Sequence, residues 1–500
     1  MPNDTITITS PLLKLPRELR NRIYDYYFSC DGDYTHVFET NKLRRADDQP
    51  IELSLVLSCR QIAAETHGLA LRINTLRFTT FHSGATQEDA VLLHASNNAI
   101  RYIKESILNY ATHDYLSEEQ AQTAREAYPQ FTPVIDHWQS PRRSIIHRTL
   151  FRPYLICGEA PSIWHDFVAF TLALVSQHPE FLKNARVWSE LPFKNNEYHL
   201  VSDVDTRPWE IPDSTEIARL RRISGQPFDT FHLSARTKHA YSAASRALLF
   251  LHSAPETTRE NIREILLIEN RESISLPESH GRGFIPFCQT YPQLKVERRA
   301  SLWSNVFPIA SFSLSSYLEN DQSLFDRGDE GYLFLSRCEA EDMTKAVGTW
   351  MKEAEALVLL GMPQGSFTLV LDGDPVPELS SRAFRIIQRD VAWQTALDTC
   401  YARGLLPQPS WLDRRLNTSG FIYEGLPEAV RALSTNSSLI RTNFEVPPPH
   451  DVEQLLEEHK GWSELEWDMG WGSHEPRVFQ TEPPLPPWHV LRWGHVIWKP

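Results

Sequence analysis

The chain has no cysteine spacing that suits a metal site or a disulfide framework. Its six cysteines, Cys30, Cys59, Cys157, Cys288, Cys338 and Cys400, stand singly, no two within five residues of each other. That spacing excludes a zinc ribbon, a C-x-x-C redox pair and a stapled scaffold. Each is expected as a small buried hydrophobe in a reducing compartment. Long hydrophobic runs are missing as well. The longest apolar stretch, Phe167 to Val175, is far shorter than the roughly 20 residues that span a bilayer. The first residues, Met-Pro-Asn-Asp-Thr-Ile-Thr-Ile-Thr, have neither a basic n-region nor an apolar h-region, so cytosol or nucleus is the expected compartment. Positive charge is also in deficit: the net charge is −14, and such a field opposes approach to nucleic acid or an anionic bilayer.

What the chain does have is length and aromatic bulk. Its 500 residues include 14 Trp, 16 Tyr and 24 Phe, with 41% hydrophobic and 23% charged residues. That is enough to bury a sizeable core without a metal or a disulfide, and it excludes global disorder.

Punctuation divides the chain into three parts: residues 1–84, 85–446 and 447–500. In the first, Pro16 suits the opening turn of a helix on which Leu19, Ile23 and Tyr27 recur every four residues. Residues 29–50 are polar, with Asp31-Gly32-Asp33 and Asp47-Asp48-Gln49-Pro50 as turn signals, and read as an inserted loop or ribbon. A second helix is expected from Leu55 to Leu71, carrying Cys59, Ile62, Thr66 and Leu69, followed by a strand over Ile73 to Phe78.

The middle part is expected to be mainly helical. Helices are predicted at Ser162 to His178, after the Asp213-Ser214-Thr215-Glu216 capping box, at Ser234 to His252, at Ala340 to Leu360 and at Leu379 to Arg403. Strands are predicted at Ile262 to Ile268, Leu294 to Arg298 and Ser366 to Leu371. The first two flank a turn at Pro277 to Gly283 and a short helix, a small βαβ-like unit. No period of 20 to 50 residues repeats. The last part sets six tryptophans, Trp462, Trp467, Trp471, Trp488, Trp493 and Trp498, among proline runs. Residues 424–500 carry 12 acidic and 6 basic side chains. These rings are expected to fill grooves on the body, although Pro483 to Pro487 also offers a P-x-x-P frame. The fold class that follows is α+β and predominantly helical, with a few short strands in the larger body.

The run Leu15-Pro16-Arg17-Glu18-Leu19 with Ile23, followed by Leu53-Ser54-Leu55-Val56-Leu57-Ser58-Cys59-Arg60-Gln61-Ile62, resembles the F-box. It departs from that pattern in the two dozen residues between its halves and in Ile62, where the family prefers Trp. Together with the following Asn74-Thr75-Leu76-Arg77-Phe78 it is similar to a large group of uncharacterised ascomycete proteins with an F-box-like start. The resemblance implies a helical module that docks on the adaptor subunit of a cullin-RING ubiquitin ligase, with Leu15, Pro16, Leu19 and Ile23 as docking residues. The rest of the chain would then hold a substrate protein. The resemblance supplies no activity; the cysteine spacing and the net charge of −14 leave no cofactor, metal or nucleic-acid partner expected. The competing expectation is that the same leucines only pack the first helix onto its own domain.

Other candidates are weaker. Gly361-Met362-Pro363-Gln364-Gly365-Ser366 precedes a strand and lacks the Lys-Ser/Thr of a phosphate loop. Asp372 and Asp374 could ligate a hard cation, but Leu-Asp-Gly-Asp-Pro is ordinary turn chemistry. His280 beside Glu278 suggests acid–base work, yet no G-x-S-x-G elbow supplies a nucleophile, and a structural histidine is the simpler reading. An enzyme would need an unconventional site of dispersed residues, which a linear pattern does not reveal. A non-enzymatic protein–protein interaction role is therefore the expectation.

Overall fold

Nine strands are present among the residues that the computed structural model describes, which are 10–140, 157–181, 201–225, 237–308, 310, 337–434, 439–473 and 477–497. They are β1 (Tyr34–Val37), β2 (Lys42–Arg45), β3 (Leu76–Thr79), β4 (Glu264–Glu269), β5 (Lys295–Ser301), β6 (Cys338–Glu339), β7 (Phe367–Asp372), β8 (Ile440–Thr442) and β9 (Val478–Phe479). Seven form one mixed sheet in the order β2-β1-β3-β4-β5-β7-β8, and β6 pairs with β9. The chain is thus α+β and predominantly helical. Only β1–β2 is antiparallel in the large sheet; every other pairing is parallel.

Residue alternation in the strands explains how the sheet is covered. In β4 the buried residues are Ile265, Leu267 and Glu269; in β5 they are Val296, Arg298 and Ala300. The register aligns Leu76, Ile265, Val296 and Phe367 in one row. A strand covered on both faces reads as a continuous apolar run, whereas one covered on a single face alternates. Glu297 and Arg299 accordingly lie on the less buried face of β5.

Residues 29–50 hold β1 and β2, so this ribbon extends the sheet edge beside β3. Strands from residues 34–79 and 264–442 therefore share one sheet, and a boundary at residue 84 does not divide it. The N-terminal helices are α1 (Arg17–Phe28), α2 (Arg60–Glu65) and α3 (Leu69–Ile73). The single helix expected from Leu55 to Leu71 is instead two short ones. Gly68 takes φ +67°, and a Cβ there would meet the Asn261 side chain at 2.0 Å, so the backbone turns where only glycine fits. Cys59 caps α2, its Sγ accepting from the Ile62 amide at 3.5 Å.

Five helices follow: α4 (Gln87–Tyr115), α5 (Glu118–Ala127), α6 (Thr132–Gln139), α7 (Pro161–Val175) and α8 (Ser214–Ser224). They enclose a second apolar core around Ile103, Ile107, Phe131, Trp138 and Phe167. The Trp138 and Phe167 rings lie parallel, centroids 5.5 Å apart. Asp213 caps α8 by accepting from the Glu216 amide at 2.9 Å, and Gly225 ends it at φ +64°.

The helix expected from Ser234 begins later, at Ala243, as α9 (Ala243–Ser253); Ser234 itself lies outside the described residues. Tyr241 exchanges two backbone hydrogen bonds with Phe81, which holds it extended, and Ser242 then caps the helix. Helices α10 (Ile285–Thr290), α11 (Ala340–Leu359) and α12 (Pro377–Ala402) follow, and shorter helices lie at Glu256–Arg259, Trp411–Leu416 and Leu426–Ser434. Side chains of α9, α10 and α11 pack with the buried row of the sheet in the main core.

The last part carries α13 (Val452–Glu458), α14 (Glu464–Gly472) and α15 (Trp488–Trp493). Trp467 and Trp471 are buried against Trp393 of α12. Trp488 is fully buried and stacks on Trp303 at 5.9 Å. Trp493 is exposed, and Trp498 lies outside the described residues. Among the described residues no helix is long and apolar enough to cross a membrane.

Candidate docking surface

Helix α1 turns two different stripes to its surroundings. Arg20, Tyr24 and Phe28, spaced by four, are the buried ones. Leu19, Ile23, Tyr26 and Tyr27 form the adjoining stripe, with relative exposures of 45%, 40%, 88% and 36%. Residues at i, i+4, i+7 and i+8 form one continuous face of a helix. Pro16 stands at the N-cap of α1 and is exposed; Leu15 before it is half-buried. The four residues named from the sequence, Leu15, Pro16, Leu19 and Ile23, therefore occupy the first two turns and their approach. Tyr26 and Tyr27 extend the same face, and Leu57, 82% exposed, adds an apolar group on the segment before α2.

The adjoining, buried stripe is clamped to Glu65. Arg20 donates to both carboxylate oxygens of Glu65, from Nε at 2.9 Å and Nη2 at 2.6 Å. It also donates to the Leu15 carbonyl at 2.6 Å. Tyr24 Oη and Gln61 Nε2 donate to the same carboxylate at 2.8 and 2.9 Å, and Arg17 pairs with it at 2.9 Å. A paired guanidinium–carboxylate fork fixes orientation as well as distance. Below it Tyr24, Phe28 and Ile62 make a small apolar core with Leu12, Leu13 and Leu69.

The ribbon of residues 29–50 leaves the face uncovered. Asn74 donates to the carbonyls of Phe28 and Ala70 at 2.7 Å each, and accepts from the Cys30 amide at 2.9 Å. The chain leaving α1 is thereby steered to β1, whose Tyr34 amide donates to the Thr75 carbonyl. Leu19 and Ile23 keep their exposure with the ribbon in place.

The Arg20 hydrogen bonds, first among several causes, hold the Glu65 carboxyl down at about 2, against an ordinary 4.5. A depressed carboxyl stabilises the fold above its unfolded pKa and loses that contribution as pH falls through its folded value. The wild-type chain should therefore exceed Glu65→Gln in melting temperature by a constant margin above pH 5. That margin should shrink from pH 4.5 down to about 2. Paired thermal melts across this range check it; a margin that does not depend on pH would separate the clamp from the charge of Glu65.

The other sequence candidates lie elsewhere in the fold. His280 is buried, with Nδ1 2.7 Å from Ser242 Oγ and Nε2 2.8 Å from the Ser275 carbonyl. Asp372 Oδ1 accepts from the Asp374 amide at 3.1 Å and from Asn443 Nδ2 at 2.6 Å, which is turn chemistry. No cluster of three His, Cys, Asp or Glu side chains suited to a metal is found among the described residues. The chain matches no family model, no curated protein and no solved structure.

Proposed function

We propose that this chain is a protein–protein interaction protein that docks through the outer face of α1, as an F-box-type substrate receptor docks on the adaptor subunit of a cullin-RING ubiquitin ligase. The observation that carries the reading is the exposure of Leu19 and Ile23 on a helix whose neighbouring stripe is held by the Arg20–Glu65 clamp. Residues that only packed α1 onto its own domain would be buried; these are 45% and 40% exposed. Solvated apolar groups in a continuous row favour a partner that covers them. The pattern Leu15-Pro16-Arg17-Glu18-Leu19 favours the cullin-ligase adaptor as that partner, and the larger body and tail would then hold a substrate protein.

The test is capture of purified adaptor by the full chain, measured by biolayer interferometry, beside the Leu19→Asp/Ile23→Asp pair. The wild type should bind at micromolar concentration or tighter, and the pair should bind at least about 100-fold more weakly. Its melting temperature should change little, because exposed substitutions cost under about 0.5 kcal/mol each. Failure of the wild type to bind, or equal binding by the pair, contradicts the reading.

A further inference from the structure

A cavity of about 190 Å³ lies between α4, α7, residues 205–209 and the loop that begins at Ser275. Its wall carries four cationic side chains, Arg101, Lys104, Arg207 and Arg282, against two carboxylates, Asp166 and Asp205. This excess of positive charge is set in a chain whose net charge is −14. Both carboxylates are engaged. Asp166 accepts from Arg282 at 2.6 Å, and Asp205 accepts from Arg207 at 3.1 Å. Lys104 donates to the Val204 carbonyl at 2.5 Å; burial lowers its pKa, and the nearby Asp205 and Asp203 carboxylates act the other way to keep it charged. Behind the wall, burial pushes the Glu105 carboxyl beside His165 up to about 7, and that of Glu353 beneath Ser162 likewise. Burial weakens the charge of these carboxyls, and of Glu278 near Arg101, as it does that of Lys104.

The wall is also built on strained backbone. Ser275 and Leu276, adjacent and neither of them glycine, take φ +62° and +56°, a region that a leucine rarely adopts. Buried groups hold them there. Arg298 donates to the Pro277 and Glu278 carbonyls at 2.6 and 3.1 Å, and Asn97 donates to Ser275 Oγ at 3.0 Å. Strain that the surroundings over-determine is found at ligand clamps and switch regions. The strained turn is followed on the wall by Ser279 and Arg282, opposite Arg101 and Lys104 of α4. Trp209, with the Arg282 guanidinium 5.6 Å from its ring centroid, gives the wall an apolar plate.

From the cationic excess and the preset wall we infer that this cavity is a binding site for a small organic anion, a short carboxylate or phosphate monoester. Its charge would meet Lys104, Arg101 and Arg282, and its carbon skeleton would lie along Trp209. The volume suits a small ligand better than a drug-sized one, which fills roughly 300 Å³ or more. The site is separate from the α1 face, so either can hold while the other fails.

The experiment is isothermal titration of the full chain with succinate, glycerol 3-phosphate and the neutral succinamide, at constant ionic strength. One of the two anions should bind with a Kd below 1 mM, and succinamide should not. Lys104→Gln should weaken that anion at least tenfold. Asp205→Asn, at a side chain 73% exposed and therefore safe for folding, should tighten it several-fold by removing wall negative charge. No binding of either anion by the wild type, equal binding of succinamide, or binding unchanged in both variants would overturn the inference. Should Lys104→Gln fail to fold, the Asp205→Asn shift and the succinamide comparison still decide.

Discussion

Replacing Arg298 by methionine is expected to lower the unfolding free energy by about 3–5 kcal/mol, the cost of breaking a buried ion pair from one side. The Arg298 and Glu269 side chains are 1% and 0% exposed. Arg298 Nε and Nη2 both donate to Glu269 Oε1, at 2.9 and 2.8 Å, and the guanidinium lies 4.6 Å from the Trp350 ring centroid. Glu269 also accepts from the Ala243 and Ala244 amides at the start of α9, at 3.0 and 3.2 Å. One pair thus joins β4, β5, the first turn of α9 and the turn at Pro277. Without Arg298 the carboxylate keeps the two amides as its hydrogen-bond donors among the described residues and stays out of water, while the Pro277 and Glu278 carbonyls lose a donor. The double variant Glu269→Gln/Arg298→Met removes the stranded charge and should recover part of the loss. Urea unfolding of the wild type, both singles and the double checks this. A loss under about 1 kcal/mol for Arg298→Met would mean that the strands carry the fold without the pair.

Trp488→Ala is expected to cost about 3–5 kcal/mol, the range for truncating a buried aromatic side chain. Trp488 is fully buried, stacks on Trp303 and donates from Nε1 to the Phe479 carbonyl at 2.8 Å. Trp303 in turn donates to Ser380 Oγ at 2.7 Å, so the stack joins the last part of the chain to α12. Truncation leaves a cavity and an acceptor without its donor. The expected signature is a lower melting temperature together with faster proteolytic release of residues after Pro447. Trp493→Ala, at an exposed position, should change neither. Equal behaviour of the two variants would contradict the packing described for the tail.

The α1 face could be read in the sequence because its signal is local. Leu19, Ile23 and Tyr27 repeat every four residues within one helix, and Pro16 marks where it starts. What the local pattern hides is which stripe is inside. An apolar row ordinarily faces the core, but here the inner row contains Arg20, and an arginine can sit there only because Glu65, 45 residues away, meets it. The sheet was partly hidden for the same reason. β4 and β5 are neighbours in sequence and in space, so their βαβ-like unit was visible, whereas Leu76 pairs with Ile265 across 189 residues that carry no trace of the pairing. The ribbon at 34–45 and the split at Gly68 depend on what packs beside them, Thr75 and Asn261 respectively. The cavity was least legible, because its wall comes from four separate segments, none of which has the spacing of a motif.

The claim that the outer face of α1 is a docking surface is tested most directly by hydrogen–deuterium exchange of the full chain with and without purified adaptor. Adaptor should slow exchange over residues 15–27 and 53–58, where Leu19, Ile23, Tyr26 and Leu57 are exposed, and leave the β1–β2 ribbon unchanged. Protection confined to the body or the tail, with the α1 amides exchanging as in the free chain, would contradict it.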